Sequence, residues 1–183
     1  MSEPLEYDLT LFPDPVLRKR AEPVAADAKT AALIAAMFQR MYTSKGVGLA
    51  APQVGLRQRV LVLNEHGDPE RADGEIALIN PTVLERNGAP VIYEEGCLSF
   101  PGIYAEVERP STCRVRYEDV TGSVHEVEFE GFVARIVQHE YDHLEGVLLV
   151  DRMSAADKHR NRVALEDLKD DYRRKLAKAT AKR

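Results

Sequence analysis

The chain has no tryptophan and only two cysteines, Cys97 and Cys113, among 183 residues. Two cysteines do not make the disulfide framework of a small secreted domain, so each reads as ligand, nucleophile or core filler. No apolar run reaches the roughly 18 residues of a membrane-spanning helix, which argues against a membrane partner. The opening segment carries acids and prolines but no apolar signal core, and it is too acidic for an organelle transit peptide. The cytoplasm is therefore the expected compartment. An excess of positive charge is also missing. Lys and Arg number 25 against 30 Asp and Glu, for a net charge of −5. That balance excludes a general nucleic-acid binder and predicts no DNA partner. Repeats and linkers are absent too, so residues 1–183 are expected to form one domain, large enough for a real core.

Within that frame the pattern predicts alternating helix and strand regions. Residues 1–26, with Pro4, Pro13, Pro15 and Pro23, read as an irregular wrapping segment. Asp27 caps a helix running to about Ser44, with Leu33, Met37 and Met41 as one apolar row and Ile34 and Phe38 beside it. Strands are expected at 59–64, 76–79, 82–85, 91–94, 105–107, 112–117 and 124–129. A polar loop covers 68–74, and a short strand follows at 147–150. Ala155 to about Ala179 reads as one charged helix with a thin apolar stripe of Val163, Leu165, Leu168, Tyr172 and Leu176. The expected fold is α+β, with mixed or antiparallel sheets wrapped around a central helix and a further helix at the C-terminus.

The central helix carries the densest chemical signal. His139-Glu140-Tyr141-Asp142-His143 is His-Glu-x-x-His. On a helix, residues four apart rise from one face, their Cβ atoms about 5–6 Å apart. Two imidazoles so placed can bind one metal ion, and Glu140 can take a proton from a water at that ion. Phe132, Ile136, His139, Glu140 and His143 recur at helical steps, no proline interrupts 131–144, and Gly146 supplies a stop.

A catalytic site of this kind keeps three protein ligands and an open position. Downstream acids in the style of common zinc peptidases would be Glu145 or Glu166, but neither lies in a recognisable third-ligand motif. Cys97, in Glu95-Gly96-Cys97-Leu98-Ser99, offers a Cys-His-His set instead. Cys113 alternates with Arg114 and Arg116 in a strand pattern and reads as core.

Three segments together resemble one family, the peptide deformylases. They are Gly46-Val47-Gly48-Leu49-Ala50-Ala51-Pro52-Gln53, Glu95-Gly96-Cys97-Leu98-Ser99 and Gln138-His139-Glu140-Tyr141-Asp142-His143. The opening Asp14-Pro15-Val16-Leu17-Arg18 is similar as well, and the charged C-terminal helix resembles the bacterial type 1 subgroup. The resemblance implies hydrolytic removal of formate from N-formylmethionine at the start of a nascent polypeptide. It implies Cys97, His139 and His143 as ligands of one divalent ion per chain, with Glu140 as general acid and base. The Gln53 amide and the Leu98 N–H are implied donors to the developing oxyanion, and the backbone of Gly48 is implied to meet the substrate peptide. The implied ion is Fe²⁺, with Zn²⁺, Ni²⁺ or Co²⁺ as replacements. Residue chemistry alone points to zinc, and affinity order does not select iron.

A pocket for an unbranched apolar side chain is expected beside the metal, walled by Val47, Phe132 and Ile136, with Glu95 and His139 at its edge. Arg135 stands at its rim, where some relatives are apolar. Asp142 and Arg109 are expected to pair behind the site, while His66, His125 and His159 read as surface residues. From Tyr172 to Arg183 the sequence holds six Lys and Arg and no acid. That basic end, 172–183, is expected to meet ribosomal RNA, and the chain is expected to be a monomer. Two other readings stand beside this one. One is a zinc peptidase cutting internal peptide bonds. The other is a metal-stabilised module that docks on the ribosome without catalysis.

Overall fold

The computed structural model describes residues 6–181; Pro4, Lys182 and Arg183, named above, lie outside them. The first helix, α1 (Ala28–Thr43), begins where the Asp27 carboxylate accepts from the N–H groups of Lys29 and Thr30. Those donors have no partner inside a helix, so the cap starts it where expected. Leu33, Ile34, Met37 and Met41 are buried against the sheet.

Five strands form one antiparallel sheet in sequence order: β1 (Gly48–Ala50), β2 (Val60–Leu63), β3 (Ile76–Cys97), β4 (Phe100–Glu118) and β5 (Val124–Glu130). The expected separate strands at 76–79, 82–85 and 91–94 are one strand. Asn80 adopts φ 51° at a register shift between Ile79 and Thr82. Its side chain bonds both the N–H and the C=O of Val24 and donates to Glu118. The Asn-Pro pair therefore makes a bulge that bends the strand rather than ending it. The segments 105–107 and 112–117 likewise merge in β4.

The helix α2 (Gly131–Leu144) packs against this sheet through Ala134, Ile136, Val137 and Leu144, which join the cluster of Leu61, Leu63, Leu78, Val115 and Phe129. Its end is sealed by the N-terminal segment. The Ala21 N–H donates to Leu144 O at 2.8 Å. At Gly146 (φ 74°), a Cβ would lie 2.5 Å from Arg18 O, so the crossing itself requires glycine.

The C-terminal part corrects three expectations. Residues 147–150 are not a strand: Leu149–Arg152 is a helical turn, α3, started by the Leu148 N–H donating to the Asp151 carboxylate. The long helix is divided into α4 (Ala155–Arg160) and α5 (Arg162–Thr180). At the junction, Asn161 Nδ2 donates to Asp157 O and to Tyr104 O, a tie to β4 that holds the division. The apolar stripe is shorter than expected. Leu165 is buried, but Val163 is 64% and Leu176 50% exposed. The expected polar loop at 68–74 contains a 3₁₀ turn, Pro69–Gly74. His66 and His159 are exposed, while His125 is half-buried, bonded to Asp119 and stacked on Tyr117. Among the described residues no helix is long and apolar enough to cross a membrane.

Candidate metal centre and its pocket

The two histidines leave α2 on one face, with ring centroids 5.3 Å apart. Facing them is Cys97, at the end of β3 where the register shifts between Gly96 and Cys97. The Cys97 Sγ is 3.3 Å from His143 Nε2. One ligand atom from each of Cys97, His139 and His143 lies within 4.8 Å of the others. In a tetrahedral site with ordinary zinc–sulfur and zinc–nitrogen bonds that spacing is about 3.5 Å. The donor set therefore fits a divalent, thiolate-tolerant ion with modest contraction. Two buried atoms without partners, Glu140 Oε2 and His143 Nδ1, lie at this site. Glu140 also lines the adjoining cavity.

Outer partners orient the ligands. Glu95 Oε2 accepts from His139 Nδ1 at 2.9 Å and from Arg109 Nη2 at 2.9 Å. Its Oε1 accepts from Arg109 Nε and Arg135 Nη1, both at 2.7 Å. Arg109 also donates to Asp142 at 2.8 Å, and Arg152 donates to both Asp142 oxygens at 3.0 and 2.6 Å. Asp142 and Arg109 are thus a buried pair, as expected, within a larger network. Glu95, expected at the pocket edge, also serves as the hydrogen-bond partner of His139.

The electrostatics follow from burial and these bonds. Desolvation alone would raise Glu95, but His139 and Arg109 outweigh it and hold its carboxyl well below the usual range. Burial works against a charged His139, yet its bonds to Cys97 and Glu95 keep it well above an ordinary imidazole. His143 is driven well below by burial and then by the charges of His139 and Arg109. Burial pushes Glu140 up to about 7. Cys113 is fully buried in the core, and burial pushes its thiol up to about 11.

The cavity beside the three donors measures about 500 Å³. Gly46, Val47 and Gly48 form one side, and Phe132, Arg135, Ile136, His139 and Glu140 another. Tyr93, Glu95, Cys97, Leu98 and Tyr104 close the rest. All five expected pocket residues line it. Phe132 is 42% exposed, which puts it at the mouth. Gln53 lies beside Cys97 and does not line this cavity. The Ala50 N–H donates to its Oε1 at 2.8 Å, and its Nε2 lies 3.6 Å from Cys97 Sγ and 3.4 Å from Ser99 Oγ. The Leu98 N–H has no protein partner among the described residues. Glu145 is not grouped with the donors: it pairs with Arg59 and Arg20, and Glu166 pairs with Lys169.

Spacing missed Arg152 and the anchoring of Arg135. The signal for Arg135 was present: an arginine four residues before His139 on the buried face of an amphipathic helix must find partners inside.

Comparison with known proteins gives a consistent set. The polypeptide deformylase family model matches residues 7–159. A peptide deformylase of Thermotoga neapolitana is 47% identical over 163 residues, covering 88% of this chain and 96% of its own. A plant peptide deformylase crystal structure superposes with a TM-score of 0.90 at 42% identity, covering 97% of this chain and 95% of that one. A Plasmodium falciparum peptide deformylase structure gives 0.88 at 41% identity, covering 91% and 97%.

Proposed function

The chain belongs to the polypeptide deformylase family, and from that premise we propose which of its residues carry the reaction. The enzyme is a metal-dependent hydrolase that removes the formyl group from N-formylmethionine at the start of newly made polypeptides, releasing formate. One observation supports the residue assignment above the others: a thiol and two imidazoles converge beside a buried glutamate with one oxygen that has no partner among the described residues.

In this reading Cys97, His139 and His143 hold one divalent ion, Fe²⁺ in the working enzyme, with Zn²⁺, Ni²⁺ or Co²⁺ able to replace it. When bound, the ion lowers the pKa of the attacking water and polarises the formyl oxygen. Val47, Phe132 and Ile136 receive the methionine side chain, with Glu95 and Arg135 behind. The extended peptide backbone runs along the free edge of β1 at Gly48. That pose sets the formyl carbon next to Glu140. Glu140 accepts the water proton through Oε2 and returns it to the leaving nitrogen, so one carboxylate serves both steps. Its burial favours the protonated form between the two steps. The Leu98 N–H and Gln53 Nε2 donate to the oxygen that gains charge. Gln53 is aimed by its own Oε1, which is occupied by the Ala50 N–H.

The peptidase reading lacks its ligand, since Glu145 and Glu166 are both tied to cations elsewhere. We place the enzyme in the cytoplasm as a monomer, meeting its substrate at the ribosome through its basic end. The decisive experiment is a formate-release assay on a formyl-Met peptide with protein reloaded with Fe²⁺ without air. Turnover by wild type and metal loss in Cys97→Ala are expected. Formate release absent with every metal, or full metal retention in Cys97→Ala, would overturn the assignment.

A further inference from the structure

Arg135 is charged, only 8% exposed, and outside every motif. It leaves α2 one turn before His139. Nη1 donates to Glu95 Oε1 at 2.7 Å and to Val107 O at 3.0 Å, and Nη2 donates to Val91 O at 2.6 Å. Its guanidinium carbon lies 5.5 Å from the centre of the Tyr93 ring. One side chain therefore ties α2 to a carboxylate at the end of β3, to a carbonyl on β4, and to a second carbonyl farther back along β3.

Charge balance does not require this arginine. Arg109 already gives Glu95 a two-bond partner, and burying another guanidinium carries a desolvation penalty. Position explains it better. Glu95 Oε1 is held between Arg109 Nε and Arg135 Nη1, which turns Oε2 to His139 Nδ1. The same guanidinium draws the Val91–Tyr93 stretch against α2, and Tyr93 and Arg135 both line the cavity.

We infer that Arg135 is a positioning residue that sets two things at once: the orientation of the His139 ring through Glu95, and the wall of the pocket for the first side chain. It touches no reacting atom. The inference rests on the proposed roles of His139 as a ligand and of the cavity as the substrate pocket.

The test uses Arg135→Leu and Arg135→Lys in the full chain. Zn²⁺ affinity is read by competition with a chromophoric chelator, the Co²⁺ form by its absorption bands, and KM and kcat on a formyl-Met peptide. Arg135→Leu is expected to weaken Zn²⁺ binding by about 10–100-fold, to shift the Co²⁺ bands, and to raise KM more than it lowers kcat. Arg135→Lys keeps a cation beside Glu95, but its single ammonium does not also span to Val91 O. It should restore most of the metal affinity while KM stays raised. If Arg135→Leu does not fold, a raised KM in Arg135→Lys supports the inference and a wild-type KM overturns it. Wild-type affinity and KM in both variants overturn it also, whatever happens to thermal stability. A wild-type protein that binds no metal or releases no formate defeats the proposed function instead, so the two failures are told apart.

Discussion

Gly48 presses directly on Glu140: a Cβ built there would lie 2.6 Å from Glu140 Oε1 and 2.7 Å from Ile136 Cγ2. Packing between β1 and α2, not an unusual backbone conformation, demands the glycine. Gly48→Ala should push the carboxylate away from the cavity. A displacement near 1 Å from reactive geometry costs about 10²-fold. We expect a loss of that order in kcat/KM with one metal per chain retained. Wild-type turnover in Gly48→Ala would mean that the Glu140 carboxylate tolerates the shift.

Glu140→Gln keeps the shape and removes the proton carrier. Turnover should fall by about 10²–10⁴-fold or more, since the group acts in two steps, while metal content persists. The pH profile has a definite sign. Burial pushes Glu140 up to about 7, and the base form predominates only above its pKa. The acid limb of kcat/KM should therefore fall as pH drops, with a midpoint no higher than about 7, because a bound cation favours the carboxylate and moves it down. The linked stability runs the other way. A carboxyl whose folded pKa exceeds its unfolded value destabilises the fold as pH rises between the two. Metal-free Glu140→Gln should then melt above metal-free wild type at neutral pH. An acid limb unchanged in a weakly active Glu140→Gln would assign that limb to another group.

The helices α1 and α2 were legible because their signals are local. Asp27 and the row Leu33, Met37 and Met41 define α1, and the spacing of Phe132, Ile136, His139 and His143 defines α2. The continuity of β3 was not, because Asn80-Pro81 has the chemistry of a turn. Only the long-range bonds from Asn80 to Val24 and Glu118 convert it to a bulge. The same limit applied to Val147–Val150, whose apolar run is overruled by the Asp151 cap. In the site, the His-Glu-x-x-His spacing carried its own geometry. The partners of Glu95 did not, since Arg109 and Arg135 reach it from different elements.

Arg109 is the hinge of that network, with Glu95 and Asp142 both nearly buried around it. Arg109→Leu leaves Arg135 and Arg152 as partial partners, so the cost should sit near the low end of a broken buried pair, about 3 kcal/mol. Glu95 has a depressed folded pKa. Its contribution is present above the unfolded carboxylate range and is lost as pH falls through it toward the folded value. The gap between wild type and Arg109→Leu should accordingly hold at neutral pH and narrow as pH falls below 4.5 in urea unfolding. A gap that stays constant or widens would show that the loss is one of packing.

The basic end of α5 is more screened than its composition implies. Arg173 pairs with Asp170 at 3.1 Å and Arg174 with Asp171 at 2.5 Å. Lys175 and Lys178 have no ion pair among the described residues. The pairs are exposed and contribute little to stability, so a phosphate backbone can compete for their cations. Leu176 is half exposed and Tyr172 only partly covered, so the segment adds little to the core, and the family match ends at residue 159. Truncation after Asp171 should leave turnover of a short formyl-Met peptide within about twofold, on the base rate for changes away from buried features. It should weaken co-sedimentation with ribosomes, most clearly at low salt, because each released counterion adds to the salt dependence. Equal, salt-insensitive co-sedimentation of the two forms would remove the tail from ribosome recognition. A large loss of peptide turnover would instead place Tyr172 or Leu176 in the support of the fold.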